Sequence, residues 1–178
     1  MSYKVIDNFL EETDFQQLQN HMLNSGEVSW YLNFTVTTCE YAEEEEFERY
    51  QEEHWNWYLT HLFYYETSKS SMYDKIDSVF RPAFARVGEE VKTWIRIKAN
   101  LYPHTSEVRE HQPHNDNLFS HKGAVFSLNT CDGFTRMPDG TKVDSVANRV
   151  VIFDASELHN SSTTSNDKVR MNINFNFF

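Results

Sequence analysis

Cysteine, glycine and proline are all scarce in this 178-residue chain, and basic residues are outnumbered by acidic ones. The two cysteines, Cys39 and Cys131, lie far apart without a Cys-x-x-Cys pattern. That excludes a disulfide-rich scaffold and makes two free thiols in a reducing compartment a simpler reading than a single disulfide. Five glycines and four prolines are too few for a collagen-like or disordered chain. No apolar run approaches the ~20 residues that cross a bilayer. The opening Met1-Ser2-Tyr3-Lys4-Val5-Ile6-Asp7 lacks the apolar core of a secretion signal. The expectation is a soluble, cytoplasmic protein with no membrane partner. Sixteen Lys and Arg against 27 Asp and Glu leave a formal charge of -11. Nucleic acid is therefore a poor partner, because affinity for phosphates rests on cations displacing counterions. Small-molecule or peptide substrates stay open. The acidic run Glu43 to Glu46 reads as a solvated face, with a cation-attracting patch as the alternative.

What is present is a globular composition, 39% hydrophobic and 15% aromatic. It suits one domain over 1–178, with 1–91 as a helical and strand support region and 92–178 as a β core. Thr13 is placed to cap a helix with Phe15, Leu18 and Met22 on one stripe, which Gly26 ends. Ser71 is placed to cap a second helix that buries Tyr73, Ile76, Val79 and Phe80. Pro82 is expected to kink that helix or begin another, since it has no amide hydrogen to donate.

From about Lys92 the period becomes two. Ile95, Ile97, Ala99 and Leu101 alternate with Trp94, Arg96, Lys98, Asn100 and Tyr102. Further strands are expected at 124–129, 141–146, 150–153 and 169–177, with a hairpin turn at Asp139-Gly140. Helices followed by many short strands suggest a mainly β sandwich or jelly-roll barrel with the helices packed outside. In the last strand Val169, Met171, Ile173, Phe175 and Phe177 share one face, and Arg170, Asn172, Asn174 and Asn176 share the other. A half-solvated surface strand is the simpler reading of that alternation. A barrel strand with its polar face turned into a cavity is the other.

Of eight histidines, His114 alone has a carboxylate two residues on, in His114-Asn115-Asp116. In extended chain, residues i and i+2 share a face, so both can reach one ion. Such a pair arises by chance in about one chain in two of this composition, so it needs company. His159 follows the apolar Val150-Val151-Ile152-Phe153 and a short turn, and Arg170 comes eleven residues later. Two imidazoles and one carboxylate on one side of a metal leave three positions open, as in non-haem Fe(II) oxygenases. Those positions suit a chelating 2-oxo acid and then O2. A zinc hydrolase would more often show His-Glu-x-x-His or three histidines, and neither is present. Arg170 adds a fork that matches a distant carboxylate bidentately, although an arginine in a surface ion pair is the plainer alternative. Tyr102, and less directly Asn100, share the polar face of their strand and are candidates for the same carboxylate. His104, His111 and His121 read as loop or surface histidines. Trp30, Trp55, Trp57 and Trp94 read as core.

These pieces together resemble the Fe(II)/2-oxoglutarate-dependent oxygenases, in particular the prolyl 4-hydroxylase-like branch and its short phage and bacterial members. The matching segments are Ile97-Lys98-Ala99-Asn100-Leu101-Tyr102, His114-Asn115-Asp116, Leu128-Asn129-Thr130-Cys131-Asp132-Gly133-Phe134-Thr135 and Ala147-Asn148-Arg149-Val150-Val151-Ile152-Phe153-Asp154. His159 and Val169-Arg170-Met171-Asn172-Ile173-Asn174-Phe175 complete them, and Val5-Ile6-Asp7-Asn8-Phe9-Leu10 is similar to the family's opening strand. The resemblance implies a double-stranded β-helix with Fe(II) on His114, Asp116 and His159. It implies 2-oxoglutarate on Arg170 with Tyr102 as hydroxyl partner, O2 as co-substrate, and ascorbate in support. It also implies hydroxylation of a C–H bond in an amino-acid, peptidyl or small-molecule substrate, with 2-oxoglutarate decarboxylated to succinate. It turns the last strand toward the cavity reading. Many relatives carry Ser or Thr where Asn172 stands, so an amide must make that contact here. Relatives that repair alkylated nucleic acid usually carry a second arginine at the place of Asn176. The competing reading is a cupin-like metal-binding module without oxygenase activity, which has no particular use for Arg170. A structural protein with an incidental His-x-Asp is a third.

Overall fold

The computed structural model describes residues 3–36 and 54–178. Cys39 and the acidic run Glu43 to Glu46 lie outside the described residues. The elements follow as β1 (Lys4–Ile6), α1 (Glu12–Asn24), β2 (Tyr31–Asn33), β3 (Tyr58–Tyr65), β4 (Ser68–Lys69), α2 (Tyr73–Arg86) and β5 (Trp94–Pro103). Then come β6 (Lys122–Ser127), β7 (Phe134–Arg136), β8 (Lys142–Asp144), β9 (Arg149–Asp154) and β10 (Val169–Phe177).

Helix α1 buries the expected stripe of Phe15, Leu18 and Met22. It begins earlier than Thr13 would set it: Glu11 is the capping residue and makes no side-chain cap bond. Apolar burial, not the cap, therefore fixes this helix. Gly26, just past its end, sits at φ +69°, the left-handed conformation that stops a helix at least cost with glycine. In α2 the cap is Met72 rather than Ser71, and Ser70 Oγ accepts from the Met72 amide at 3.3 Å. The helix runs on through Pro82 instead of restarting there. Ala83 and Phe84 beyond the proline are buried, which offsets the one backbone bond the ring removes. Ile76 and Phe80 are buried as expected, while Tyr73 and Val79 are half-buried.

The large sheet runs β1-β9-β6-β10-β5-β3-β2, antiparallel throughout, with β4 beside β3. A second layer is built on the β7–β8 hairpin, which turns at Asp139-Gly140. Gly140 is at φ +85°, and the Thr141 amide donates to Asp139 Oδ1 at 2.9 Å. Single bridges Arg136–Asn160, Glu110–Ser162, His104–Thr164 and His114–His159 extend this layer with otherwise irregular chain. Two antiparallel layers facing each other make a jelly-roll, mainly β with flanking helices, as the strand pattern predicts.

The main core lies outside the barrel, between the large sheet and the helices. Phe80 and Phe84 of α2 meet Phe126 and Phe175, with Phe80–Phe175 centroids 4.5 Å apart. Met171, Ile173, Phe175 and Phe177 all belong to this core. The opposite face of β10 therefore looks into the barrel, which decides between the two readings of its alternation.

Two expectations about the tryptophans and the alternation of β5 need correction. Trp94 lies in the apolar core, as its residue type suggested but against its place in the alternation, because an irregularity pairs Phe177 with Trp94 and leaves Ile95 as the extra residue. Trp30 packs against the core, but Trp55 and Trp57 are half-buried and outside it.

Candidate metal centre

β10 and β5 pair in a register that sets four polar couples in a row: Arg170 with Tyr102, Asn172 with Asn100, Asn174 with Lys98, Asn176 with Arg96. Cross-strand partners share a face, so this row forms one wall inside the barrel. His114, Asp116 and His159 stand at one end of it and Arg170 at the other. Between them opens a cavity of about 410 Å³ including its mouth, whose lining includes Tyr58, Lys98, Tyr102, Thr135, Asn172 and Asn174 as well as the three candidate ligands.

One ligand atom from each of His114, Asp116 and His159 lies within 4.8 Å of the others. His114 and His159, far apart in sequence, are bridged by reciprocal amide-to-carbonyl bonds of 2.9 Å in both directions. Their rings are 4.6 Å apart. His159 Nδ1 donates to the Glu157 carbonyl at 3.0 Å, and His114 Nδ1 to the Gln112 carbonyl at 3.4 Å. A carbonyl only accepts, so each Nδ1 carries the proton and each Nε2 lone pair is left for an ion. Burial, then the neighbouring His159, pushes the His114 imidazole down to about 4, which keeps it neutral at pH 7.

Asp116 is buried, which disfavours its charge, but Arg96 and the two imidazoles outweigh that and hold it well below the usual carboxylate range. Arg96 Nη2 donates to Oδ1 at 2.6 Å and Asn176 Nδ2 to Oδ2 at 2.8 Å. The same Asn176 amide lies 3.1 Å from His121 Nε2. A guanidinium thus reaches Asp116 from Arg96, the cross-strand partner of Asn176. Arg96 and Asn176 fix the carboxylate much as the backbone carbonyls fix the imidazoles.

Arg170 is 1% exposed. Its Nε donates to Ser145 Oγ at 2.7 Å, Nη1 to the Ser162 carbonyl at 3.1 Å and Nη2 to Thr135 Oγ1 at 3.0 Å. Among the described residues it has no carboxylate partner. Burial depresses its basicity, and the Tyr102 ring lies 5.4 Å from the guanidinium carbon. A buried cation without a counter-ion is costly, and here only neutral hydrogen-bond acceptors meet it. Tyr102 and Thr135 line the cavity in front of it. Gly133 makes room behind, since a Cβ there would lie 2.5 Å from Arg170 Cδ and 2.6 Å from the Thr163 carbonyl. Burial pushes the Tyr102 hydroxyl up, against the pull of Arg170, so it is a donor at neutral pH.

Asn172 lines the cavity, while Asn100 sits one hydrogen bond behind it, Nδ2 to Oδ1 at 3.0 Å, and does not. His111 and His121 are buried, contrary to a surface reading. The segment carrying His111 is bridged into the second layer, and its ring packs on Tyr102 at 5.1 Å and on Trp55 at 5.5 Å. Burial and Arg170 push His111 down to about 3. His104 is exposed, as expected. Sequence reasoning did not pick out Arg96, Lys98, Tyr58, Thr135 or Ser145. Arg96 and Lys98 carried a signal, since they alternate onto the same face as Tyr102. Burial, with Arg96 adding to it, pushes the Lys98 amine down to about 8.

Fold and site together define a jelly-roll whose interior gathers a two-histidine, one-carboxylate set beside an anion pocket. No family model and no curated protein matches the sequence. Solved structures do match in fold. A 2OG-Fe(II) oxygenase family oxidoreductase from Burkholderia pseudomallei aligns at TM-score 0.67 and 8% identity, over 98% of this chain and 84% of that one. The epimerase SnoN, a non-heme alpha ketoglutarate dependent enzyme of nogalamycin biosynthesis, gives 0.63 and 13% over 99% and 77%. A Trichoplax adhaerens prolyl hydroxylase in complex with a peptide fragment gives 0.61 and 13% over 98% and 83%. The fold is that of the prolyl hydroxylases and other 2-oxoglutarate–iron oxygenases. Among the described residues no helix is long and apolar enough to cross a membrane.

Proposed function

We propose that this chain is an Fe(II)- and 2-oxoglutarate-dependent dioxygenase that hydroxylates a C–H bond of an amino-acid, peptidyl or small-molecule substrate. The observation that carries this is the pairing of two features along one wall of the barrel. A converging His114–Asp116–His159 set lines the cavity, and a buried guanidinium, without a counter-ion among the described residues, lies directly behind the lining residues Tyr102 and Thr135. The donor set fits a divalent iron: two neutral imidazoles with free Nε2 atoms and one ionised carboxylate. The anion end fits the far carboxylate of a dicarboxylic 2-oxo acid. A cupin-like module would leave that end without a purpose.

Iron with 2-oxoglutarate and O2 supplies the oxidising chemistry when bound, releasing succinate and CO2. The protein supplies position. Arg96 and Asn176 hold Asp116 ionised and oriented, and the Glu157 and Gln112 carbonyls fix the imidazole tautomers. Arg170 provides the fixed positive charge for the co-substrate's distal carboxylate. Tyr102 and Thr135, in front of it on the cavity wall, share that carboxylate through their hydroxyls. Asn172 offers an amide where related enzymes use a hydroxyl, with Asn100 steadying it from behind. The apolar surroundings of Phe153, packed on the His159 ring at 4.7 Å, keep water from the ligands. The epimerase fold-relative is a reminder that this scaffold carries more than one oxidative outcome, and hydroxylation is the one proposed here.

Anaerobic titration with Fe(II) and then 2-oxoglutarate tests the reading through the visible charge-transfer band of the ternary complex. The wild-type protein should develop the band and, in air with a substrate, release succinate. His159→Ala should do neither. A variant that keeps the band would remove His159 from the ligand set, and a wild type without it would end the oxygenase account.

A further inference from the structure

Lys98 stands on the cavity wall midway between the metal set and Arg170, and the reaction as described gives it no task. Its ammonium makes no hydrogen bond or ion pair among the described residues. Its one contact is with the Tyr58 ring, 5.3 Å from the centroid. The nearby carboxylate, Asp116, has both oxygens occupied already, Oδ1 by Arg96 and Oδ2 by Asn176. Across the strand pair from Lys98 is Asn174, also lining the cavity, whose buried Oδ1 accepts from nothing. Among the described residues the amine thus has no acceptor and the buried amide oxygen no donor, both belong to side chains that line the same cavity, and they do not bond each other.

A charged amine in a half-buried wall is disfavoured unless something anionic meets it, and an orphaned amide oxygen carries a similar penalty. Arg170 has its own anion to bind, so Lys98 is left for a second one. We infer that Lys98 and Asn174 form the substrate subsite, and that the substrate is a small free carboxylic acid of the amino- or hydroxy-acid kind. Its carboxylate accepts from Lys98 Nζ, and its amino or hydroxyl group donates to Asn174 Oδ1. An internal peptide residue offers no charge to Lys98 and is thereby disfavoured. This inference rests on the oxygenase reading and narrows it to one substrate class.

Anaerobic calorimetry on the protein charged with Fe(II) and 2-oxoglutarate tests it. The probes are the common L-amino acids and their 2-hydroxy analogues, each paired with its neutral carboxamide. At least one free acid should bind while its carboxamide does not. Lys98→Met should weaken that acid roughly 30-fold, as expected when one partner of a desolvated charge pair is removed. Lys98→Arg should keep most of the affinity, and both variants should bind 2-oxoglutarate as the wild type does. The inference is overturned if no acid binds, if acid and carboxamide bind alike, or if Lys98→Met spares the acid. It is also overturned if that variant loses 2-oxoglutarate affinity in parallel, which would place Lys98 in the co-substrate site. A wild type that takes up neither iron nor 2-oxoglutarate removes the oxygenase reading itself. One that takes up both but shows no preference for acids removes only the subsite.

Discussion

Arg170 shows how much of a binding residue's behaviour is set by what is not beside it. Ser145, the Ser162 carbonyl and Thr135 take its hydrogens, and none of them neutralises its charge. Its side chain can lie where it does because residue 133 has no side chain. Gly133→Ala should therefore push the guanidinium off its present position. Calorimetric affinity for 2-oxoglutarate should fall, and overpacking should cost about 1–3 kcal/mol in denaturant unfolding. Unchanged affinity would show that Arg170 is not the anchor. The four principal residues could be read from the chain because their spacing carries geometry: i and i+2 on extended chain for His114 and Asp116, then His159 and Arg170 in order. Their supports could not. Thr135 and Ser145 reach Arg170 by folding together of distant segments, and their residue types announce nothing. His111 was misread for the same reason: its burial comes from Tyr102 and Trp55, neither adjacent in sequence.

At the scale of the element, β10 carries two unrelated tasks on its two faces. Its apolar side chains belong to the helix-covered core, and its polar ones to the cavity wall. Damage to the outer side should therefore cost stability without altering ligand geometry. Phe80→Ala removes a fully buried ring that touches Phe126 and Phe175, at centroid distances of 5.0 and 4.5 Å. It should cost about 3–5 kcal/mol in chemical unfolding. Below the denaturation temperature the variant should still bind Fe(II) with wild-type affinity. The period-two pattern found β5 and β10 because each alternates over most of its length, while β6 and β9 showed themselves as short apolar runs buried on both faces. It missed β3, whose pairing with β5 is broken between Leu62 and Tyr64, so its apolar residues fall out of step. The same kind of irregularity misplaced Trp94. A propensity argument sees the strand but not the extra residue that flips its side chains.

For the molecule as a whole, the second layer is held together in part by charge. Glu110 binds Arg136 through both oxygens at 2.6 Å and also accepts from Asn160 at 3.2 Å, tying the β7–β8 hairpin to the segment that carries His159. The bond to Arg136 is the main reason the Glu110 carboxyl drops to about 2, from an ordinary 4.5. A depressed carboxyl stabilises the fold above its unfolded value and loses that contribution as pH falls toward its folded value. Thermal unfolding should show the melting temperature dropping between roughly pH 4.5 and 2, with part of the slope absent in Glu110→Gln. An identical slope in the variant would assign the acid sensitivity to other carboxylates, Asp116 first among them. The strand pattern indicated a mainly β jelly-roll with flanking helices, and that much followed from the chain. Which residues close the barrel did not, because the bridges at Glu110, His114, Arg136 and Asn160 come from irregular chain that has no periodicity to detect.

The row of couples from Arg170–Tyr102 to Asn176–Arg96 has a practical side. Its rung at positions 98 and 174 belongs neither to the aromatic packing under the helices nor to the ligand and co-substrate sets. These two positions can be exchanged together as a cassette, so the scaffold is a ready starting point for directed evolution toward new acceptors, with iron capture serving as a built-in check that each library member still folds.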